Sequence, residues 1–255
     1  GSGSDYTPFL QHLGIASLNL GFGGESGGGS YHSIFDSFDH YTRFIDPTFE
    51  YGIALAQTAG RAVLRLADAE LLPWDFTAFE ATVTRYADEV IALTDEMREE
   101  TERQNRLLRD GRFELAADPT KTYAPPDAED PVPHLNFAPV RNALVGLAAS
   151  ARAHDVARRA LVAADDRLST DQAREVDRIL FRTERAMTHP DGLPGRSWFV
   201  HQIYAPGFYT GYGVKTLPGV REAIEERAWE EAQRQICRLA DTLRQVASEV
   251  DRATQ

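Results

Sequence analysis

The sequence predicts a mainly α-helical protein, a helical bundle preceded by the last part of an α/β layer. Three observations carry this prediction. Apolar residues recur at helical spacing over four long stretches of the chain. Residues 118–139 contain six prolines and fit a long crossover between helices of a bundle. Near the start, a short helical stretch is followed by a run that alternates apolar with small or polar residues, as a strand does.

The opening stretch predicts a helix, a strand and a glycine loop in that order. Residues 5–13 fit a short helix with Ser4 or Asp5 as its N-cap, and residues 15–22 alternate as a strand would. The glycine-rich residues that follow deliver the chain directly to Tyr31 and His32. Because the chain starts without Met and inside this α/β unit, we expect it to be the C-terminal part of a longer protein.

The remainder of the chain predicts helices joined by turns. The predicted helices cover residues 48–72, 76 to about 108, 140–164, 170–187 and 218 to about 250. Pro73 ends the first of them, Ser169 supplies a capping signal for the fourth, and Pro218 lies near the first turn of the last. Residues 189–195 form a turn cluster, and residues 205–219 form a loop rich in glycine and tyrosine.

Composition and charge limit the possible functions. The 255 residues are 42% hydrophobic, which is enough for a sizeable core. The formal net charge of −12 argues against nucleic acid and anionic membrane surfaces as partners, because phosphate neutralisation needs cations. The single cysteine, Cys237, excludes a disulfide framework, and we expect it to be a small apolar core residue. The apolar helical stripes fit either core packing or a dimer interface.

The histidines give weak signals when they are considered one by one. Taken alone, His32 is more often a surface or hydrogen-bonded histidine than a metal ligand or catalytic group. Tyr31 strengthens the catalytic interpretation, because a phenol can donate a hydrogen bond to a developing oxyanion. A catalytic zinc ion usually needs three protein ligands, and the other histidines do not supply them. His201, between Trp198 and Tyr204, is predicted to be buried and hydrogen-bonded.

A set of short motifs in a fixed order is far more specific than any single residue. The motifs are Gly1-Ser2-Gly3-Ser4-Asp5-Tyr6, Phe9-Leu10-Gln11-His12-Leu13-Gly14-Ile15, Tyr31-His32-Ser33, Asp46-Pro47, Leu71-Leu72-Pro73, Gly192-Leu193-Pro194, Ile203-Tyr204-Ala205-Pro206 and Leu217-Pro218-Gly219. In order and spacing, this set resembles the glutamate carboxypeptidase II and transferrin receptor family over almost the whole chain.

The resemblance implies two domains and a metal. Residues 1–44 would close an α/β zinc-peptidase domain, and residues 45–255 would be the helical, transferrin receptor-like dimerisation domain. Peptidase members of the family bind two zinc ions, and His32 matches the last zinc ligand. Tyr31 matches the tyrosine that stabilises the oxyanion of the tetrahedral intermediate. The other ligands and the general base would lie upstream of this chain, so we expect the fragment alone to be inactive.

The resemblance also implies substrate contacts, although it departs from the glutamate-preferring enzyme. Substrate-binding positions are matched by Gly3, Ser4 and Tyr212. Gly211 stands where that enzyme has a lysine for the side-chain carboxylate, and Asn19 and Gly21 stand where it has paired arginines. Losing these cations leaves the charge of a dicarboxylate unpaired. A broader exopeptidase, including an aminopeptidase, is therefore at least as well supported as a strict glutamate carboxypeptidase.

Three hypotheses follow from the sequence. The first is the C-terminal portion of a zinc-dependent exopeptidase that acts on peptides, forms homodimers and works outside the cytoplasm, either secreted, periplasmic or membrane-anchored. The second is a non-catalytic, transferrin receptor-like module for binding and dimerisation. The third is an acidic helical bundle whose similarity to the family is accidental.

Overall fold

The computed structural model describes residues 4–23, 30–163, 168–211 and 213–255. The chain divides into two compact units, here called the bundle unit (Gly1–Ala16 with Asp75–Gln255) and the 17–74 unit (Ser17–Trp74). Helices dominate both, so the predicted fold class is confirmed for the helical part. Within the described residues, no helix combines the length and the apolar character that crossing a membrane requires.

The 17–74 unit contains one long helix, α1 (Glu50–Ala67), which is shorter than the predicted 48–72. The carboxylate of Asp46 holds the start of α1, because it accepts hydrogen bonds from the backbone N–H of Gly52 at 2.9 Å and from the Tyr41 hydroxyl at 3.1 Å. Burial by itself raises the pKa of this carboxyl. The hydrogen bonds outweigh burial, so the pKa of Asp46 lies below its ordinary value.

The strand predicted at residues 15–22 does not form. Among the described residues the only sheet is a two-stranded one elsewhere in the chain. A strand satisfies its backbone N–H and C=O groups by pairing with a neighbour, and no described strand pairs with this stretch. The preceding helix is also shorter than predicted, since only Pro8–His12 is helical, as a single π-helical turn.

The bundle unit contains the other long helices. They are α2 (Phe76–Arg109), α3 (Ala138–Ala163), α4 (Thr170–Leu180), α5 (Pro218–Glu225) and α6 (Trp229–Thr254). The predicted capping signal is present, because Ser169 and Gln172 form a reciprocal capping box at the start of α4.

Two of the predicted helices are interrupted. The helix predicted at 170–187 ends at Leu180 and is followed by a separate 3₁₀ turn, Thr183–Met187. The long C-terminal helix is broken between α5 and α6, where Arg227 adopts a left-handed backbone with φ of 56°. Its guanidinium donates to Thr101 Oγ1 at 2.7 Å and to the Asp130 carbonyl at 3.3 Å. These contacts with α2 and the crossover stabilise a turn that helical periodicity alone does not reveal.

The core lies where α3 and α6 pack along each other, with α2, α4 and α5 against them. Leu147 of α3 and Leu243 of α6 are both completely buried. The predicted crossover is confirmed as a connection without helix over residues 118–137, and Asn105 of α2 holds it by bonding both the backbone N–H and the carbonyl of Glu129. The prediction for Cys237 is wrong, because its side chain lies on the exposed face of α6.

His154 of α3 makes the stability of the bundle depend on pH. Its ring is 7% exposed, packs edge-on against Phe76, and places Nδ1 at 3.2 Å from Thr254 Oγ1. Burial, reinforced by the nearby Arg158 charge, lowers the pKa of His154. The unfolded chain, with a pKa near the ordinary 6.5, therefore takes up the proton first as the pH falls.

We expect the free energy of unfolding to be highest above pH 6.5 and to fall as the pH is lowered through that value. Denaturant melts between pH 8 and pH 5 measure this. His154→Gln should flatten the decrease near pH 6, whereas His134→Gln, at an exposed position, should leave it unchanged. An identical pH profile for His154→Gln and the wild type would contradict the assignment.

Candidate active site

Tyr31 and His32 lie on a tight turn in the 17–74 unit. His32 has a left-handed backbone with φ of 57°, a conformation that histidine adopts more readily than most residues. Its N–H donates to Asp36 Oδ2 at 3.3 Å, while the Ser33 hydroxyl donates to the Ser30 carbonyl at 2.7 Å. The two rings stack with centroids 3.8 Å apart, and both side chains are exposed. The turn therefore presents a phenol and an imidazole side by side at the surface.

The side chains at this turn can supply one zinc ligand but not a complete set of ligands. An exposed imidazole is a good zinc ligand, and His32 offers one. Within the described ranges, no group of three or more His, Cys, Asp or Glu side chains converges in a way that would hold a metal ion. The described residues therefore account for a single ligand position.

Of the other predicted site residues, Ser4 is the one that lies among the described residues. Ser4 belongs to the bundle unit, is partly buried, and accepts the N–H of Thr7 on its backbone carbonyl at 3.3 Å. Gly3 and Tyr212 lie outside the described residues. The substrate contacts assigned to these three positions stay predictions.

The positions that lack the cations of the glutamate-preferring enzyme are open. Asn19 is exposed, and a Cβ added to Gly21 would meet no atom of the described residues within 4 Å. The same is true of Gly211, whose φ of 60° favours glycine. Space for a longer side chain exists at both glycines.

The glycine and tyrosine loop is a short hairpin. Strands β1 (Tyr204–Pro206) and β2 (Val214–Thr216) pair antiparallel, so the loop predicted at 205–219 is partly replaced by sheet. The N–H of Gly207 donates to the Gly213 carbonyl at 2.9 Å and closes the neck of the tip. A Cβ on Gly207 would lie 2.1 Å from Thr210 Oγ1, so this close approach requires glycine. The 207–213 segment is hereafter called the tip loop.

His201 is buried and hydrogen-bonded, as the sequence predicted. Its ring is 2% exposed, and Nε2 lies 2.9 Å from Glu184 Oε1. Nδ1 accepts hydrogen bonds from the backbone N–H groups of Ile203 and Tyr204, at 3.2 and 3.1 Å. Because Nδ1 accepts, the proton lies on Nε2 and is donated to Glu184. The role of His201 is to hold the start of β1.

Sequence reasoning missed Arg196 and Glu222, which form a nearly buried ion pair at the base of the hairpin. Arg196 Nη2 lies 2.6 Å from Glu222 Oε2, and the two side chains are 11% and 12% exposed. The two residues are 26 positions apart, one directly after the turn cluster and one on α5. No local sequence pattern indicates such an ion pair. The sequence signal that could have pointed to it is an arginine directly after a glycine turn.

The helices, the crossover and the hairpin define a helical-bundle domain. Residues 135–251, which contain α3 to α5, the hairpin and most of α6, match the family described as the transferrin receptor-like dimerisation domain. The resemblance predicted from the motifs is thereby confirmed.

Curated relatives extend the similarity to nearly the whole chain. A probable glutamate carboxypeptidase, LAMP1 of Arabidopsis thaliana, is 29% identical over 251 residues, covering 96% of this chain and 30% of the relative. A probable glutamate carboxypeptidase of Arthroderma benhamiae is 29% identical, covering 88% and 26%. The aminopeptidase NAALADL1 of Mus musculus is 26% identical, covering 92% and 29%. The chain thus spans less than a third of the length of these relatives.

Proposed function

We propose that this chain is the C-terminal portion of a zinc-dependent exopeptidase, hereafter the parent protein, and that it supplies one zinc ligand, part of the substrate pocket and the dimer interface. The observation that carries the proposal is the exposed Tyr31–His32 pair in a chain whose relatives are named carboxypeptidases and aminopeptidases. By itself the chain is inactive.

His32 and Tyr31 have different roles in this proposal. His32 contributes one imidazole nitrogen to the metal centre. The two zinc ions, when bound, supply a Lewis acid and an activated water. Tyr31 donates its hydroxyl to the oxyanion that forms on the scissile carbonyl. Gly3 and Ser4 line the cleft, and Tyr212 contacts the residue at the substrate's C-terminus.

The substrate is a peptide without a strict requirement for a C-terminal glutamate. Asn19, Gly21 and Gly211 carry no positive charge, so these three positions offer no partner for a side-chain carboxylate. The names of the relatives include both carboxypeptidase and aminopeptidase, so the polarity of cleavage is an outcome of the test. Peptides blocked at either end separate the two polarities.

The surface of the 17–74 unit supports its membership of a larger domain. Ile34 is 89% exposed, Phe38 74% and Leu64 70%, while Asp46 is the one buried residue among those described in this unit. A segment with so little buried apolar surface is stabilised poorly by its own packing. The domain boundary predicted near residue 44 stays a prediction.

We further propose that the parent protein is a homodimer and that it works outside the cytoplasm. The dimer rests on the family match of residues 135–251 and on exposed apolar side chains of the bundle unit, such as Val162 and Phe181. The compartment rests on the resemblance alone. Light scattering tests the first point, with a monomeric mass at micromolar concentration counting against it; the N-terminal region of the gene tests the second.

One observation favours a second function, a non-catalytic module for binding and dimerisation. The family match covers residues 135–251 and leaves the Tyr31–His32 turn outside it. In this alternative, His32 would be a surface histidine.

Zinc analysis of the parent protein, combined with hydrolysis of end-blocked and free peptides, decides between the two functions. Bound zinc with hydrolysis supports the exopeptidase. A parent protein that binds no zinc and cleaves neither kind of peptide supports the binding module. The isolated chain should show neither property in either case.

A further inference from the structure

We propose that Arg196 and Glu222 are positioning residues that fix the tip loop and so set the affinity for substrate. The inference rests on the proposed function, because the tip loop carries Tyr212. The argument uses only the described residues on either side of Tyr212, and neither Arg196 nor Glu222 is assigned a contact with substrate.

The ion pair contacts the chain at two points, the end of β1 at Pro206 and the tip loop at Phe208. Arg196 Nη1 donates to the Pro206 carbonyl, and Nη2 donates to Glu222 Oε2 at 2.6 Å. The other carboxylate oxygen of Glu222 accepts the N–H of Phe208 at 2.7 Å. The guanidinium also lies over the Phe208 ring, 5.6 Å from its centroid. Residues 206 to 208 are thus tied to Arg196, directly after the turn cluster, and to Glu222 on α5.

The described residues of the tip loop make few other hydrogen bonds. The loop contains three glycines, which lose more backbone entropy on ordering than other residues. Besides the neck bond between Gly207 and Gly213, its described residues make three contacts within the loop. The N–H of Gly213 donates to the Thr210 carbonyl, the Thr210 hydroxyl donates to the Gly213 carbonyl, and the rings of Phe208 and Tyr209 meet edge to face. Tyr209 is 79% exposed at its end. Among the described residues, Arg196 and Glu222 supply the hydrogen bonds that tie residues 206–208 to the rest of the bundle unit.

The same ion pair is not an efficient way to stabilise the folded state. Arg196 Nε is buried, and no partner for it exists among the described residues. A buried donor without a partner is costly, and well-packed apolar residues often replace a buried ion pair without loss of stability. A cleft of about 210 Å³ lies against the loop, with Phe208, Tyr209 and Glu222 in its wall. The contribution specific to the pair is the hydrogen bonding of the loop beside this cleft.

The first test measures the loop in the isolated chain by amide hydrogen exchange. The variants are Arg196→Met, Glu222→Gln and the double variant Arg196→Met/Glu222→Met, which leaves no unpaired buried charge. Exchange over residues 207–213 should rise at least about tenfold in all three. Arg227→Met, which releases another partly buried arginine, is the matched control and should leave the tip loop unchanged. Wild-type exchange in a folded double variant would overturn the proposal.

The second test measures kinetics in the parent protein. Loss of a contact made equally in the ground and transition states raises KM and leaves kcat unchanged, so we expect the double variant to raise KM about tenfold with kcat within about twofold. Arg196→Lys, which keeps one charged donor, should recover part of the affinity. A loosened loop with unchanged KM would overturn the positioning role. A wild-type parent without peptidase activity would overturn the proposed function, which the exchange experiment on the chain does not test.

Discussion

Replacing His32 with alanine should remove zinc-dependent hydrolysis from the parent protein and lower its zinc content. The side chain is exposed and stacked on Tyr31, so its removal costs little packing. Loss of a ligand weakens the metal centre, whose Lewis acidity contributes several kcal/mol to the transition state. At about 1.4 kcal/mol per factor of ten, kcat/KM should fall by at least about 10³-fold. Steady-state kinetics and metal analysis measure the two effects.

Two further variants separate the metal role from the oxyanion role. Tyr31→Phe should keep its zinc and lower kcat by about 10²- to 10³-fold, which is the range found for the loss of one oxyanion donor. His40→Ala, a partly exposed histidine in the same unit, is the control and should change neither zinc content nor kinetics. Full zinc content and activity in His32→Ala would reject the assignment of His32.

Leu147→Ala should destabilise the bundle unit by about 2–5 kcal/mol. Leu147 is completely buried on α3, where this helix packs along α6, so truncation removes apolar contacts and leaves a cavity. Val145→Ala is the matched control, because Val145 lies two residues away on the same helix and is 70% exposed. Its effect should stay within about 0.5 kcal/mol. Urea unfolding followed by circular dichroism measures both variants.

Similar unfolding free energies for the two alanine variants would contradict the position of the core. They would show that the buried face of α3 is not the one that contains Leu147. A change in the slope of the denaturation curve would have to be excluded first, because it reports a change in the unfolded state or a loss of two-state behaviour.

The helices of the bundle unit could be predicted because their signals are local. The predicted limits of α2 and α3 agree with the structure to within two residues, since apolar side chains repeat with the helical period along α3 and along the first part of α2. Ser169 marks the start of α4 because a capping box is a contact between residues three positions apart. Such short-range contacts can be read without knowing the fold.

The errors occurred where a distant partner decides the conformation. The alternating residues 15–22 form no strand, because a strand requires a neighbour to pair with. The break after α5 occurs where Arg227 reaches α2 and the crossover. Cys237 was assigned to the core from its residue type, but its register on α6 points it outward. Periodicity describes a helix face and does not say which part of that face another element covers.

In the candidate site too, some features could be predicted from the sequence and others depended on the tertiary structure. The order of the motifs singled out Tyr31 and His32, and the sequence around them was sufficient for that inference. It also showed that Asn19, Gly21 and Gly211 carry no charge. The stacked, exposed arrangement of Tyr31 and His32 and the identity of Glu184 as the partner of His201 required coordinates, because ring geometry and long-range partners depend on the surrounding chain.

By itself, the sequence determined the helical class, the family resemblance and the residues proposed for the site, because all three are carried by residue identity, order and spacing. Only the tertiary structure decided that Arg196 and Glu222 hold the base of the tip loop. Their interaction depends on bringing together two segments 26 residues apart in a place that excludes water, and only the packed bundle creates that place.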